Sequence, residues 1–191
     1  MNKNNTADLL LTSLITLASK QGLDNISLST LASSLNISKS TIFSHYKNKE
    51  ELVNKMYLKG QSLTQNMGMD FSFKGNAKDV LTRAVDYWHE VYSSISEFYI
   101  IVEMQKYIDK RAASISSSLE TMIRAQTQIV IEILNDSGRL NIEDIDLAIE
   151  CFATTITKYI QREFINKEDD SIWWQEERFI KRFYSLYKSK K

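Results

Sequence analysis

A chain of 191 residues with 43% apolar and 25% charged side chains is long enough for one or two packed cores and too apolar for a disordered tail. Lysine plus arginine balance aspartate plus glutamate at 24 each, which argues against the uniformly basic surface of a nonspecific nucleic-acid binder. One cysteine, Cys151, excludes an intramolecular disulfide framework and reads as a small buried residue; no apolar run approaches the length of a membrane span and no basic-then-apolar leader opens the chain, so the expectation is a cytoplasmic protein with no membrane partner.

In chain order, the first helical pattern ends at Gly22, which reads as a C-cap after Ala18-Ser19-Lys20-Gln21. The next helix starts at Ser27, whose hydroxyl suits an N-cap, and carries Leu28, Leu31, Ala32 and Leu35 on one face. Asn36, Ile37 and Ser38 form a turn: Asn36 tolerates a left-handed conformation, Ile37 plugs the gap between helices and Ser38 caps the second of them. The helix from Lys39 turns Ile42, Phe43 and Tyr46 to the core and leaves Lys39, Ser40, Thr41, Ser44 and His45 facing outward, as donors and acceptors for a major groove. Asn48 caps the third helix with Glu51 completing a capping box, and Lys49 stands where free N–H groups and positive charge favour a phosphate.

Two short amphipathic helices, a polar turn and an immediate third helix form a helix-turn-helix layout. With Ile15, Ala18, Gly22, Ile26, Ser27, Leu31 and Ala32, the run Ser38-Lys39-Ser40-Thr41-Ile42-Phe43-Ser44-His45-Tyr46 and then Lys49-Glu50-Glu51-Leu52, this stretch resembles the DNA-binding domain of the tetracycline-repressor-type (TetR/AcrR) bacterial regulators. The likeness covers about residues 9 to 58. It implies an all-α protein with an N-terminal three-helix DNA reader and a C-terminal helical body for ligand binding and dimerisation. It also implies a two-fold homodimer built from the final helices, and release from DNA when a small-molecule effector enters the body. Two positions depart from the family pattern: Phe43 stands where a DNA-reaching tyrosine is usual, and Asn36 replaces a glycine. The reading head then comprises Ser29, Lys39, Ser40, Thr41, Phe43, Ser44, His45, Lys47 and Lys49 on a double-stranded DNA operator.

Charge is segregated in the same sense. Residues 1 to 60 hold seven lysines against four acids, a net of +3 that leaves −3 on the remainder. No arginine precedes Arg83, so Lys39 is the strong guanine-directed donor of the head and the expected operator has few required guanines and substantial A·T content.

The organisation expected is residues 1–50 as the reading domain, 51–66 as a connecting helix, and 67–191 as the effector and dimerisation body, with MGMDFSFKGN at 67–76 as the connection. The body carries five helical patterns, near 77–94, 96–110, 112–136, 142–166 and 172–188, with Gly138 a further C-cap. Tyr87, Trp88, Tyr92, Met104, Tyr107 and Met122 read either as the lining of an apolar effector pocket or as plain core. Glu103, in FYIIVEMQ, either faces that pocket or pairs at the helix edge with Lys106 or Lys110. His89, between Trp88 and Glu90, reads as a partly exposed helix residue.

The last two patterns carry apolar positions on more than one face: Ile145, Ile149, Phe152, Ile156 and Ile160, then Trp173, Trp174, Phe179, Ile180, Phe183, Tyr184 and Tyr187. A helix with two apolar faces needs two partners, so these residues are the expected dimer interface; the alternative is that they close the monomer core. Enzyme chemistry finds little support. The chain has two histidines, His45 and His89, and no HExxH, CxxC, GxSxG or glycine-rich phosphate loop, so no catalytic residue, metal site or cofactor is expected. The rival readings are a helical interaction module and a small-ligand-binding protein without DNA-reading activity.

Overall fold

The computed structural model describes the backbone of residues 3–65, 68–166 and 171–189, and the side chains of 5–64, 68–165 and 175–189. Within them the chain is all-α. Its helices are α1 (Lys3–Gln21), α2 (Leu28–Ser34), α3 (Lys39–Phe43), α4 (Lys49–Gln65), α5 (Ala77–Ser94), α6 (Ser96–Gln105), α7 (Lys110–Asp136), α8 (Ile145–Gln161) and α9 (Ser171–Tyr187). A 3-10 turn at Leu23–Asn25 precedes α2, and a π-helical turn at Arg162–Asn166 follows α8. No helix among the described residues is long and apolar enough to cross a membrane.

Local chemistry sets most boundaries. Gly22 and Gly138 hold positive φ of 83° and 67° and end α1 and α7, a backbone state that costs glycine nothing. Asp109 accepts the N–H of Arg111 at 2.8 Å, so α7 begins at Lys110 while α6 stops at Gln105, five residues short of the expected end. Asp144 caps α8 through the Leu147 N–H at 3.0 Å and delays it to Ile145, three residues after the expected start.

The helices gather into two compact units, Met1–Met67 with Ile95–Ser116 and Gly68–Ser94 with Ser117–Lys191. The first unit therefore holds α6 and the opening of α7 as well as the N-terminal helices. Its core is built from Leu10, Leu14 and Ala18 of α1, Leu31 and Ile42 of the reader, Leu52 and Met56 of α4, and Phe98 and Val102 of α6. α1 packs along α6, where the Thr16 hydroxyl donates to Glu97 at 2.7 Å. Gly60 lets α4 and α6 approach, because a Cβ there would fall inside the ring of Phe98. Arg111 closes the unit: its guanidinium donates to Asp109 and Glu50 at 2.7 Å each and lies 5.0 Å from the ring centroid of Tyr57. That pairing holds the Asp109 carboxyl below the usual aspartate range.

In the second unit α5, α8 and α9 pack on one another. The α8 stripe expected at a dimer interface is mostly interior: Ile149, Phe152, Ile156 and Ile160 are at most 1% exposed, and only Ile145 is half-buried. Ile180 and Phe183 of α9 are likewise buried, while Phe179, Tyr184 and Tyr187 are half-buried. The Phe152 ring lies 6.5 Å from Trp88, 5.3 Å from Phe179 and 4.9 Å from Phe183, so this side of the stripe closes the chain's own core. The side chains of Trp173 and Trp174 lie outside the described residues. Cys151, expected to be buried, is exposed on the opposite side of α8 beside Leu147, which is 56% exposed.

Candidate nucleic-acid interface

The reader is a short, heavily capped assembly. Ser27 Oγ accepts the Thr30 N–H at 3.0 Å and starts α2; Ser38 Oγ accepts the Thr41 N–H at 3.2 Å and starts α3. Between them Asn36 adopts φ 53°, and the Ile37 N–H reaches back to the Ala32 carbonyl at 3.0 Å. Asn48 Oδ1 accepts the Glu51 N–H at 2.8 Å and starts α4, but Glu51 returns its carboxylate to the Lys47 N–H at 2.7 Å, one residue before the partner a capping box requires. Ile42 is fully buried and Tyr46 nearly so, with the Tyr46 hydroxyl donating to the Ala7 carbonyl on α1 at 3.1 Å. The orientation of α3 is thus fixed from below by packing and at its far end by a hydrogen bond.

This anchoring decides what the other face presents. Lys39, Ser40, Ser44 and Lys47 are exposed, Thr41 and His45 are half-buried at its edge, and Ser29 is exposed on α2. Phe43, expected among the core-facing positions, is instead 52% exposed and joins this outer surface. Its ring offers apolar contact but no donor. The hydroxyls are already ordered: Ser38 and Ser40 share a hydrogen bond of 2.6 Å, and Ser44 donates to the Thr41 carbonyl at 2.7 Å. Each retains acceptor capacity toward a base amino group.

Lys49 is placed differently from the other lysines. Its ammonium donates to the Leu23 and Asp24 carbonyls at 3.1 and 3.4 Å, so it ties the start of α4 to the 3-10 turn. Lys59 is paired with Asp8 at 2.5 Å. Lys39 on α3 and Lys47 just after it are exposed without such a described tie, as are Lys20 on α1 and Lys55 on α4.

The residues suggested for an effector pocket divide between the units. In the second, Trp88 is fully buried and donates from Nε1 to Gln126 at 2.6 Å, Tyr92 is buried, and Tyr87 and Met122 are half-buried. In the first, Glu103 is buried and accepts from Lys106 at 2.8 Å and from the Ser116 hydroxyl at 2.6 Å, which is the helix-edge pairing with one further partner. Met104 is 50% exposed and Tyr107 86% exposed, so neither lines an enclosed cavity within its unit. A polar groove of about 340 Å³ lies between α7 and α8 of the second unit, lined in part by Thr121, Arg124, Glu150, Thr157 and Lys158. None of the seven candidates lines it.

His89 corrects the sequence reading. It is 4% exposed, with Nε2 2.7 and 2.8 Å from the two carboxylate oxygens of Glu176 and Nδ1 3.0 Å from Glu163. Its partners lie on α9 and on the π-helical turn, at separations that leave no motif in the sequence. Among the described residues no three His, Cys, Asp or Glu side chains converge as a metal ion would require.

Residues 10–56 match the family model described as bacterial regulatory proteins, tetR family. No curated protein matches the chain. Among solved structures, a tetR-family regulatory protein from Rhodococcus RHA1 aligns over 97% of this chain and 98% of its own at 16% identity, with a TM-score of 0.66. A protein described as a transcriptional regulator from Saccharomonospora viridis, solved in complex with choline, aligns over 98% and 100% at 13% identity and a TM-score of 0.74. A TetR-family transcriptional regulator from Haemophilus influenzae aligns over 99% and 100% at 17% identity and a TM-score of 0.58. At these identities the likeness is one of fold along the whole chain, and the sequence match is confined to the reader.

Proposed function

We propose, from a chain whose residues 10–56 form a tetR-family domain within the fold of TetR-family transcriptional regulators, that the protein is a ligand-responsive repressor that binds an inverted-repeat operator as a homodimer. The observation that carries the DNA-reading part is the outer surface of α3. Lys39, Ser40 and Phe43 project from α3, and Ser44 and Lys47 from its C-cap and the bend that follows, over inner residues that are locked, as base readout requires. Lys39 is the base-directed cation, Ser40, Thr41, Ser44 and His45 make weaker edge or backbone contacts, and Lys47 and Ser29 hold phosphates, with Lys49 adding its charge and the one N–H its two carbonyl bonds leave over.

A five-residue recognition helix contacts too few base pairs to specify a site alone, so two copies entering successive major grooves about 34 to 36 Å apart supply the rest. Because the inner stripes of α8 and α9 are occupied, the second copy packs beside them, on Leu147 and Leu186, which are more than half exposed. A small-molecule effector bound in the helical body favours the form of the dimer that leaves DNA. That the S. viridis protein of similar fold was solved in complex with choline supports a small molecule as effector.

The test is binding to a fragment of the protein's own upstream region across a salt series. A specific shift whose affinity falls steeply with salt is expected. Absence of a shift at low salt, or binding indifferent to sequence, favours the helical interaction module.

A further inference from the structure

The Glu163–His89–Glu176 cluster lies wholly within the second unit. A buried histidine that hydrogen-bonds one carboxylate through Nε2 and has a second 3.0 Å from Nδ1 as a charge contact out of hydrogen-bond alignment is not required for helix packing, which hydrophobic residues supply at lower desolvation cost. Three elements meet at the imidazole. α5 carries His89 itself and Asp86 one turn earlier; α9 brings Glu176, 1% exposed; the π-helical turn brings Glu163, whose neighbour Phe164 places its ring 6.5 Å from the imidazole. α8 meets α5 through Phe152 against Trp88, and α7 through Gln126 on the Trp88 Nε1, both uncharged contacts.

We propose that protonated His89 is a latch that docks α9 and the π-helical turn onto α5, and that this docking loosens as pH rises. With the proton in place, one cation stands between Glu163 and Glu176. Once it leaves, two carboxylates from adjoining segments face a neutral ring, Glu176 buried and Glu163 26% exposed, with the exposed Asp86 one turn away, and the like charges repel, screened least at Glu176.

The titration has the sense the geometry demands. Burial alone depresses the imidazole, but the hydrogen bond and charge of Glu176, with Glu163 and Asp86, outweigh it and hold His89 above its ordinary 6.5. Stability from a raised histidine is complete below 6.5 and is lost as pH climbs through the folded-state value. Burial also raises Glu163 and Asp86, partly opposed by His89; an acid raised by folding likewise loses stability with increasing pH, over a lower range.

Hydrogen exchange on the full chain from pH 6 to 9.5, corrected for the intrinsic rate, reads the latch directly. Protection of residues 171–187 is expected to fall at least tenfold across this range, while that of α1 and α4 changes less than twofold. The midpoint should coincide with the imidazole titration of His89, read by NMR in a His45→Gln protein where it is the one remaining histidine. Protection of α9 that is flat with pH while His89 titrates would overturn the proposal. In His89→Gln, α9 should be weakly protected at every pH. If that variant does not fold, the His89→Gln/Glu176→Gln pair replaces the ionic contact by neutral amides and should show firm, pH-independent protection; a persistent pH dependence in it also sinks the latch.

Discussion

Asn36 holds φ at 53°, in the left-handed region where a β-carbon collides with the backbone and asparagine is tolerated better than most residues. Asn36→Gly should therefore leave stability unchanged or slightly higher, whereas Asn36→Val should cost about 1–2 kcal/mol. Urea melts with an unchanged slope would show it; a valine variant as stable as wild type would mean the turn re-forms in another conformation. The lysines separate in the same way. Lys39→Ala should relax base preference at one operator position and leave unfolding untouched, since Lys39 is fully outside the core. Lys49→Ala should weaken all DNA alike and also cost about 1 kcal/mol of stability, because its ammonium satisfies two carbonyls of the 3-10 turn. Selection from random duplexes beside thermal melts distinguishes the two, and equal loss of base preference from both would contradict the division of roles. Asn36, Ser27 and Ser38 are legible in the sequence because a cap or left-handed turn is decided within three or four residues. His89 is not, since its strongest partner lies 87 positions away and nothing around Trp88 and Glu90 announces it.

At the scale of the helix, the reader and the five body helices are legible from periodicity and end signals, and the disagreements are at ends set by single acids. Asp109 and Asp144 act as caps inside polar stretches where the apolar pattern alone has no edge. The π-helical turn at Arg162–Asn166 is similarly silent in the pattern, as it continues α8 with altered hydrogen bonding. Gly60 shows a different kind of hidden constraint. In sequence it is an unfavourable residue inside a helix, whereas in space it is the place where the Phe98 ring enters α4. Gly60→Ala gains helix propensity of about 1 kcal/mol but forces a buried ring aside, and overpacking of this kind costs about 1–3 kcal/mol. The net expectation is destabilisation, reversed in sign when Phe98→Leu makes room for the methyl. A double-mutant cycle by chemical denaturation measures that coupling; additive effects would show that Phe98 turns away without cost.

For the molecule as a whole, periodicity establishes that a face is covered but not by what. The stripe from Ile149 to Ile160 has the spacing of an interface and serves as interior, because α5 and the aromatics of α9 reach it first. What remains for a partner is a smaller set that hydrophobicity alone does not single out: Leu147 and Leu186 among charged and hydroxyl side chains, with half-buried rings of α9 nearby. If two copies associate there, Leu147→Asp and Leu186→Asp each introduce a charge that burial must desolvate while the monomer, where both side chains are more than half exposed, is scarcely affected. Each substitution should weaken the dimer roughly tenfold to a hundredfold, about 1.4–2.8 kcal/mol, with unfolding changed by less than about 0.5 kcal/mol. Ile156→Asp should do the opposite and unfold the chain, since that residue has no solvent contact at all. Light scattering across a dilution series, set beside melting curves, separates the outcomes. A wild-type chain that stays monomeric at micromolar concentration removes the dimer altogether, and undiminished association of both leucine variants moves the interface to another face.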